Sequence, residues 1–557
     1  TLLSFHKDMA LIQAASASSL KKALAILPTI EEISIIQPDY SYTSSDIPID
    51  QESSDGFTNQ ESPDGLSPYV LPDDTYFPNQ WGLFNDGGSL ISTASQRDAQ
   101  AGIDINILKA WSHFQSSEEI IVAVIDTGID YKHPDLKERI CINEAELNGT
   151  KGEDDDGNGY ADDIYGWDFY NNDASVCHYN SKRRTNLKED DNHGTHCAGI
   201  IAAVPNNGTG ITGTASNLNI RLLPVKALGG PDGTSDSYTL ARAIRYAADR
   251  GAKICNASWT TYDNDPVLKT AILESNMLFI CVAGNNTTTG GDNLDKKSCY
   301  PASFRLPNTI TVGSIDADGR FSHYSNYGTK TVSLAAPGTR IVSTIVGTYA
   351  YMSGTSMAAP FVTGVAAMIY AKNKDLYPSD IVKILSSSSR KLSVLEKKVS
   401  SGGMLDAYAA LKKTDQYRQT VDMIPPSIAV SVSPYQKYVS VQPSVTDKGE
   451  SYLLLSRYTR GKKKASWFQK GKKGQSFGKN LTLRSEGYYT FFAMDGAGNT
   501  RTKVIKVTFD KKPPSASLQI KKKKKTYQIT IKAKDSLSGI KQIRYLSGRQ
   551  KASAFKN

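Results

Sequence analysis

Between residues 76 and 413, short and nearly continuous apolar runs alternate with helical patterns, and that alternation leaves few folds open. The runs are Ile120 to Ile125, Ile220 to Val225, Ala252 to Cys255, Met277 to Ala283 and Thr309 to Val312. A strand that is apolar on both sides has to be covered on both sides, which is the condition of a parallel sheet. Helix candidates lie between the runs, at His196 to Val204, Ser237 to Arg250, Pro266 to Ser275 and in the stretch that begins at Ser356. The predicted fold class is α/β, a doubly wound parallel sheet. Such sheets bind ligands beyond the carboxyl ends of their strands.

Polar residues gather at those ends. Asp126-Thr127-Gly128 follows the first run, Asn256-Ala257-Ser258-Trp259 the third and Gly284-Asn285-Asn286 the fourth, while Asp190 to Thr195 precede the helix at His196. Pro360 cannot donate a hydrogen bond to the carbonyl of Ser356, a loss tolerated only near a helix start. Ser356 therefore falls at or just before a first turn, beside unpaired N–H groups and the positive end of the helix dipole. An ordinary N-cap serine has the same position. A serine hydroxyl becomes a nucleophile only with a base in reach and a third group that fixes the tautomer of that base. His193 and Asp126 can fill those roles, and the Asn285 side chain with the Ser356 backbone N–H can supply donors to an oxyanion. A lone Asp-Thr-Gly lacks the second carboxylate of an aspartic protease, and His193 with His196 lacks the Glu of a helical zinc pair.

The blocks Val124 to Asp130, His193 to Gly199 and Gly354 to Pro360 closely resemble the three signature blocks of subtilisin-like serine proteases, in that family's order of Asp, His, Ser. The resemblance covers about residues 1 to 413. It implies a serine endopeptidase that works through an acyl-enzyme, with Ser356 as nucleophile, His193 as base, Asp126 as orienting carboxylate and Asn285 in the oxyanion hole. His196 is then structural. It also implies that Asn256, Ala257, Ser258, Trp259 and Thr260, with Gly284, bind substrate, the strand pairing with the substrate backbone. Thr260 stands where relatives commonly have Gly, so the pocket before the scissile bond is expected to be narrowed. Asp263 and Asp265 are spaced loosely like the acidic pocket residues of the kexin branch, or are ordinary loop acids. Cys197 matches a buried thiol of the proteinase K branch, and a Cys177 to Cys299 bridge is one possible pairing. The segment 1–42, with a helix-like stretch from Leu20 to Leu27 and a strand-like one from Ile33 to Ile36, resembles the end of an inhibitory prodomain. Cleavage of this built-in inhibitor is expected between Tyr42 and Tyr76, in or beside an acidic linker at 43–75.

Asp154-x-Asp156-x-Asn158-Gly159 matches the first half of an EF-hand calcium loop, but Tyr165 stands where the bidentate Glu belongs. By resemblance to the acidic loop of many secreted subtilisin-like proteases, the Ca²⁺ ligands are Asp154, Asp156, Asn158, the carbonyl of Tyr160 and Asp163. A plain acidic surface loop is the alternative. The same resemblance suggests a second calcium site from Asp135, Val204 and the loop Asn206 to Ile211, with Asp74.

The net charge of +9 is concentrated in the last quarter, at Lys462 to Lys464, Lys472 to Lys473 and Lys521 to Lys525. Such a tail could bind an anionic cell wall, or be the solvated face of a β domain. No aromatic-and-basic constellation accompanies it, so no nucleic-acid partner is expected. No run of 18 apolar residues suggests a membrane span. The six cysteines fit no zinc spacing. The start at Thr1 suggests an excised piece, and the expected location is secreted or at the cell surface. After a catalytic domain at 76–413, Pro425-Pro426-Ser427 recurs as Pro513-Pro514-Ser515. This predicts an Ig-like β-sandwich at 424–510 and the start of a second β module at 511–557. A catalytically idle relative acting as a surface adhesin or wall-binding protein is the alternative function.

Overall fold

The computed structural model describes residues 2–6, 9–14, 16–27, 33, 35–44, 70–88, 99–178, 191–230, 232–449, 451–469, 474–478, 480–540 and 542–544. Most of the expected linker, the interval expected to be cleaved, and Lys472 to Lys473 lie outside the described residues. The chain divides into two units, residues 1–13 with 37–420 and residues 14–36 with 421–557.

The first unit begins with β1 (Leu2–His6) and β2 (Met9–Ile12), an antiparallel hairpin. Helix α1 (Ala17–Ile26), capped by the Ser16 hydroxyl, belongs to the second unit. Of the expected strand at Ile33 to Ile36, the described residues are not in a strand. A strand the sequence did not announce, β3 (Ser41–Ser44), comes next. The elements that follow in the first unit are α2 (Ile107–His113), β4 (Ser116–Asp126), α3 (Glu144–Leu147), β5 (Trp167–Asp168), α4 (Asp191–Ala202), β6 (Leu218–Lys226), β7 (Thr234–Asp236), α5 (Ser237–Asp249), β8 (Ile254–Ala257), β9 (Trp259–Thr260), α6 (Pro266–Ser275), β10 (Leu278–Val282), β11 (Thr309–Ile315), β12 (Leu334–Pro337), β13 (Ile341–Ile345), β14 (Thr348–Met352), α7 (Thr355–Lys372), α8 (Pro378–Ser388), β15 (Arg390–Lys391), β16 (Gly403–Met404) and α9 (Ala407–Gln416).

Each expected apolar run contributes to a strand of one sheet, ordered β15-β16-β12-β11-β10-β8-β4-β6-β5 and parallel except at β15. Along β4 the side chains alternate between two cores. Val122 and Val124 pack with Ile200 and Ile201 of α4 and Val362, Val365 and Ile369 of α7, while Ala123 and Ile125 pack with Leu240 and Ile244 of α5 and Leu268 and Ile272 of α6. Each such aliphatic side chain contributes about 1.5–3 kcal/mol by leaving water. β4 is the first long strand of the sheet in the chain, and its neighbours β6 and β8 lie on opposite sides. The strand order therefore reverses there, and the crevice beyond its carboxyl end is where a ligand fits.

Helix α7 is buried from Thr355 to Tyr370 and packs against α4, α9 and strands β4, β8, β10, β11 and β12. Close approach is built into it: a methyl group on Gly364 would come within 2.6 Å of Thr214 Cβ.

In the second unit, β17 (Ser427–Pro434), β18 (Val439–Thr446) and a later strand, β21 (Leu481–Leu483), form a three-stranded sheet. Between them in sequence come β19 (Leu453–Arg460), α10 (Ala465–Gln469) and β20 (Gln475–Ser476); β22 (Gly487–Asp495) and β23 (Thr500–Val507) complete a four-stranded sheet ordered β20-β19-β22-β23. Val439, Val441 and Leu483 from the first sheet and Tyr458, Tyr489, Phe491 and Val507 from the second share one core. Strands β24 (Ser515–Lys523) and β25 (Thr526–Lys534) pair as an antiparallel hairpin.

Candidate active site

Asp126 is the last residue of β4, and its Oδ1 lies 2.6 Å from His193 Nδ1, with both side chains buried. The same oxygen accepts the Thr127 N–H at 2.7 Å. His193 stands in the first turn of α4, so the strand end and the helix start must nearly touch. Two glycines permit it. A Cβ on Gly194 would lie 2.2 Å from the Gly128 carbonyl oxygen, and one on Gly128, at φ +123°, would lie 2.6 Å from Asp191 Oδ1. Thr127 Oγ1 then accepts the Gly194 N–H at 3.1 Å, and Thr195 Oγ1 accepts the Asp130 N–H at 2.9 Å.

Behind this contact is a buried ion pair that sequence reasoning missed. Lys226 Nζ, at the end of β6 and in register with Asp126, donates to Asp191 Oδ1 at 2.7 Å and also to the Thr127 carbonyl. Burial pushes the Asp191 carboxyl up, but the His178 hydrogen bond and the Lys226 ammonium outweigh it and hold the group below the usual carboxylate range. A single lysine at a strand end carries no pattern that a sequence reading could use.

Ser356 is the second residue of α7 and is buried. Pro360 leaves the Ser356 carbonyl without its helical partner, and two side chains take that place: Ser258 Oγ donates at 3.3 Å and Cys197 Sγ at 3.5 Å. Cys197 is one turn beyond His193 on α4, and its thiol, the imidazole and the Asp126 carboxylate have ligating atoms within 4.8 Å of one another. The serine and histidine turns are thus joined through the carbonyl that Pro360 exposes. His196 Nε2 lies 3.1 Å from the Ala350 carbonyl, away from this contact.

Asn285 follows β10 and Gly284. Its Oδ1 accepts the Thr355 N–H at 3.1 Å, which fixes the amide with its NH₂ turned away from Thr355. Gly284, at φ +83°, donates to Thr355 Oγ1 at 3.1 Å.

Of the expected substrate strand, Asn256 and Ala257 belong to β8 of the central sheet. Asn256 is an internal brace, donating to Ser258 Oγ at 3.0 Å and accepting from Thr363 Oγ1 at 2.9 Å. Ser258 follows β8, and Trp259 and Thr260 form β9, with the indole N–H of Trp259 donating to the Ile125 carbonyl at 2.9 Å. Thr260, Gly284 and Cys299 converge, a Cβ on Gly284 falling 3.5 Å from Thr260 Cγ2 and 3.6 Å from Cys299 Sγ. Burial pushes the Cys299 thiol up to about 12. All six cysteines are buried and no disulfide joins Cys177 to Cys299, which corrects that expectation.

The acidic loop gains a residue. Asp163 adjoins Asp156, the Asn143 amide bridging Asp163 Oδ1 at 2.6 Å and Asp156 Oδ2 at 3.0 Å, but its Oδ2 also accepts from Tyr246 at 2.6 Å and Arg250 at 2.9 Å. Glu146, which the sequence reading did not name, joins the loop, with a carboxylate oxygen within 4.8 Å of oxygens of Asp154 and Asp156. Its side chain is gripped by the N–H groups of Asp155, Asp156 and Asp162. Asn158 Oδ1 accepts the Tyr160 N–H at 2.8 Å. Around the expected second calcium site the protein supplies its own donors. Asp135 Oδ2 accepts the Ile211 N–H at 3.0 Å and its backbone carbonyl the Val204 N–H at 2.9 Å, while Asp74 accepts from the N–H groups of Asn206 and Asn207 at 3.1 Å. These carboxylates accept backbone amides, as Glu146 and Asp154 do in the first loop.

A carboxylate–imidazole pair beside a serine at a helix start, at the switch point of a doubly wound sheet, places this domain among α/β proteins with an Asp-His-Ser constellation. The family model described as Subtilase family, Peptidase S8, matches residues 117–409, and the chain belongs to that family. It is 34% identical to thermitase of Thermoactinomyces vulgaris over 51% of this chain and 86% of that protein. It is 38% identical to a thermophilic serine proteinase of Bacillus sp. (strain AK1) over 48% of this chain and 56% of that protein. With subtilisin-like protease 1 of Plasmodium falciparum (isolate 3D7) it shares 32% identity over 58% of this chain and 48% of that protein, so it spans about half the length of that relative.

If the Gly128–Gly194 contact sets the imidazole, Gly194→Ala will lower kcat about 100-fold, the order expected for a displacement of about 1 Å. Near-UV circular dichroism should stay unchanged, and a kcat within about threefold of wild type would contradict the argument.

Proposed function

We propose that this chain is a serine endopeptidase, held as a zymogen by its own leading segment and stabilised by calcium. The observation that carries the reading is the 2.6 Å Asp126–His193 contact on the helix whose next turn holds Ser356 through Cys197. His193 Nε2 takes the Ser356 hydroxyl proton as Oγ attacks the peptide carbonyl, and Asp126 keeps the other ring nitrogen protonated and stabilises the imidazolium. Asn285 Nδ2 and the Ser356 N–H receive the oxyanion. His193 then gives its proton to the leaving amine, and water, activated by the same imidazole, releases the acyl group.

Inhibition by the leading segment is supported by β3, which lies antiparallel between β7 and β9, where a substrate strand would add. Calcium is supported by the donor set, since the carboxylates of Glu146, Asp154 and Asp156 are hard oxygen ligands, to which Asn158 and the Tyr160 carbonyl add neutral oxygens. Bound there, the ion would supply positive charge that pins the loop, with no part in the chemistry. The two sheets that share a core support an Ig-like sandwich at 424–510, with a second module beginning at 511. Residues of the lysine-rich hairpin β24–β25 are largely exposed, which supports an anionic wall polymer as partner and a place outside the cell.

A fluorophosphonate probe should label Ser356 in the chain once its leading segment is removed, and should not label Ser356→Ala or His193→Ala. An unreactive Ser356 would favour an idle relative. Removing calcium with excess chelator should lower the Tm by several degrees, because an ion at 100 times its Kd adds about 2.7 kcal/mol to the folded state. In Glu146→Gln most of that difference should vanish, and an unchanged wild-type Tm would exclude the ion.

A further inference from the structure

The strand that fills the cleft holds one side chain in a way that says what substrates the cleft selects. β3 pairs on one side with β7, Tyr42 opposite Ser235 and Thr43 opposite Thr234, and on the other with β9, Thr43 opposite Thr260 and Ser44 opposite Trp259. The Ser44 N–H also donates to the Gly233 carbonyl at 3.0 Å. All of these are backbone contacts that any sequence can make, so they give affinity without selectivity.

Tyr42 is different. Its side chain is fully buried, with its ring edge-on to Trp259 at 5.6 Å between centroids and an interplanar angle of 89°. The phenol donates to Asp265 Oδ2 at 2.7 Å. Asp265 is itself fully buried and is the N-cap of α6, its Oδ1 accepting the Leu268 N–H at 2.9 Å. That bond orients the carboxylate so that Oδ2 faces the phenol; the Gln37 amide, which belongs to the leading segment, donates to Oδ1 as well, at 2.7 Å. Oδ2 thus stands as the acceptor of the phenol proton. The wall of the pocket is aromatic and its floor is an acceptor that burial would leave unpaired if no donor arrived.

We propose that Asp265 is a specificity residue and that the enzyme selects protein substrates with a tyrosine in the place of Tyr42. This rests on the protease reading. A substrate strand in the register of β3 puts two residues after the tyrosine opposite Thr260 and Trp259, and the third opposite Ser258, whose hydroxyl bonds the Ser356 carbonyl. The bond after that third residue is taken as the scissile one, three residues beyond the tyrosine. Counted along this chain's own sequence, the bond is the one between Ser45 and Asp46.

The test uses the full chain after removal of its leading segment and a quenched peptide copying Pro38 to Asp50, compared with copies carrying Phe at Tyr42, Lys at Tyr42, or Phe at Tyr40. The account expects cleavage between the Ser45 and Asp46 equivalents. It expects kcat/KM to fall about 10- to 100-fold for Phe at Tyr42, the range for losing a hydrogen bond to a charged group, and to change little for Phe at Tyr40. In Asp265→Asn and Asp265→Ala the Tyr-to-Phe ratio should approach one, with fluorophosphonate labelling of Ser356 confirming that each variant is folded. Equal wild-type rates for Tyr and Phe at Tyr42, a preference for Lys there, or an unchanged ratio in labelled Asp265 variants would overturn the assignment. Cleavage of no peptide by a chain whose Ser356 takes no probe would instead overturn the protease reading.

Discussion

The contact between the Asp126 carboxylate and the His193 imidazole is the interaction on which the rest of the domain depends. A carboxylate and an imidazole 2.6 Å apart and out of water need the end of β4 and the start of α4 to approach more closely than side chains allow. Gly128 and Gly194 remove the obstruction. The carboxylate of Asp191, two residues before the imidazole, is matched by Lys226 from the strand alongside. Removing either partner would leave an uncompensated buried charge about two residues from the Asp126–His193 pair.

The third member of the constellation is held by a defect. A proline in the first turns of α7 costs a helical hydrogen bond, and the orphaned Ser356 carbonyl becomes the anchor for Ser258, which follows β8, and Cys197 from the histidine helix. One missing bond thus ties together the Ser356 turn, the His193 helix and the residue before β9. β9 is the edge that β3 covers, so a strand that added there would compete with residues 41–44.

Much of this was legible in the sequence because it is local. The five apolar runs, the residues just after them, and Pro360 four residues beyond Ser356 are short-range patterns, and each led to a strand, a polar cluster or a helix start. What escaped were long-range partners. β3 is polar and short, with no propensity that marks it, and becomes a strand only because β7 and β9 flank it; the described residues of Ile33 to Ile36 have the propensity and are not in a strand. Asp163 fits the spacing of a ligand, and it also pairs with Arg250, 87 residues on. Glu146, on a separate short helix, reaches the same loop. Asp265 resembled a loop acid because the phenol that gives it meaning lies 223 residues earlier.

The central claim, that a buried imidazole is held by Asp126 for work on Ser356, is tested most directly by proton NMR of the histidine ring. A proton shared over 2.6 Å between an imidazole nitrogen and a carboxylate is strongly deshielded, so the account predicts one resonance far downfield of the backbone amides. It should be absent from Asp126→Ala and His193→Ala and present in Asp415→Ala, which breaks a different carboxylate–histidine contact, that with His113. A spectrum lacking that resonance in the folded wild-type chain, or one in which it survives the loss of Asp126, would contradict the account.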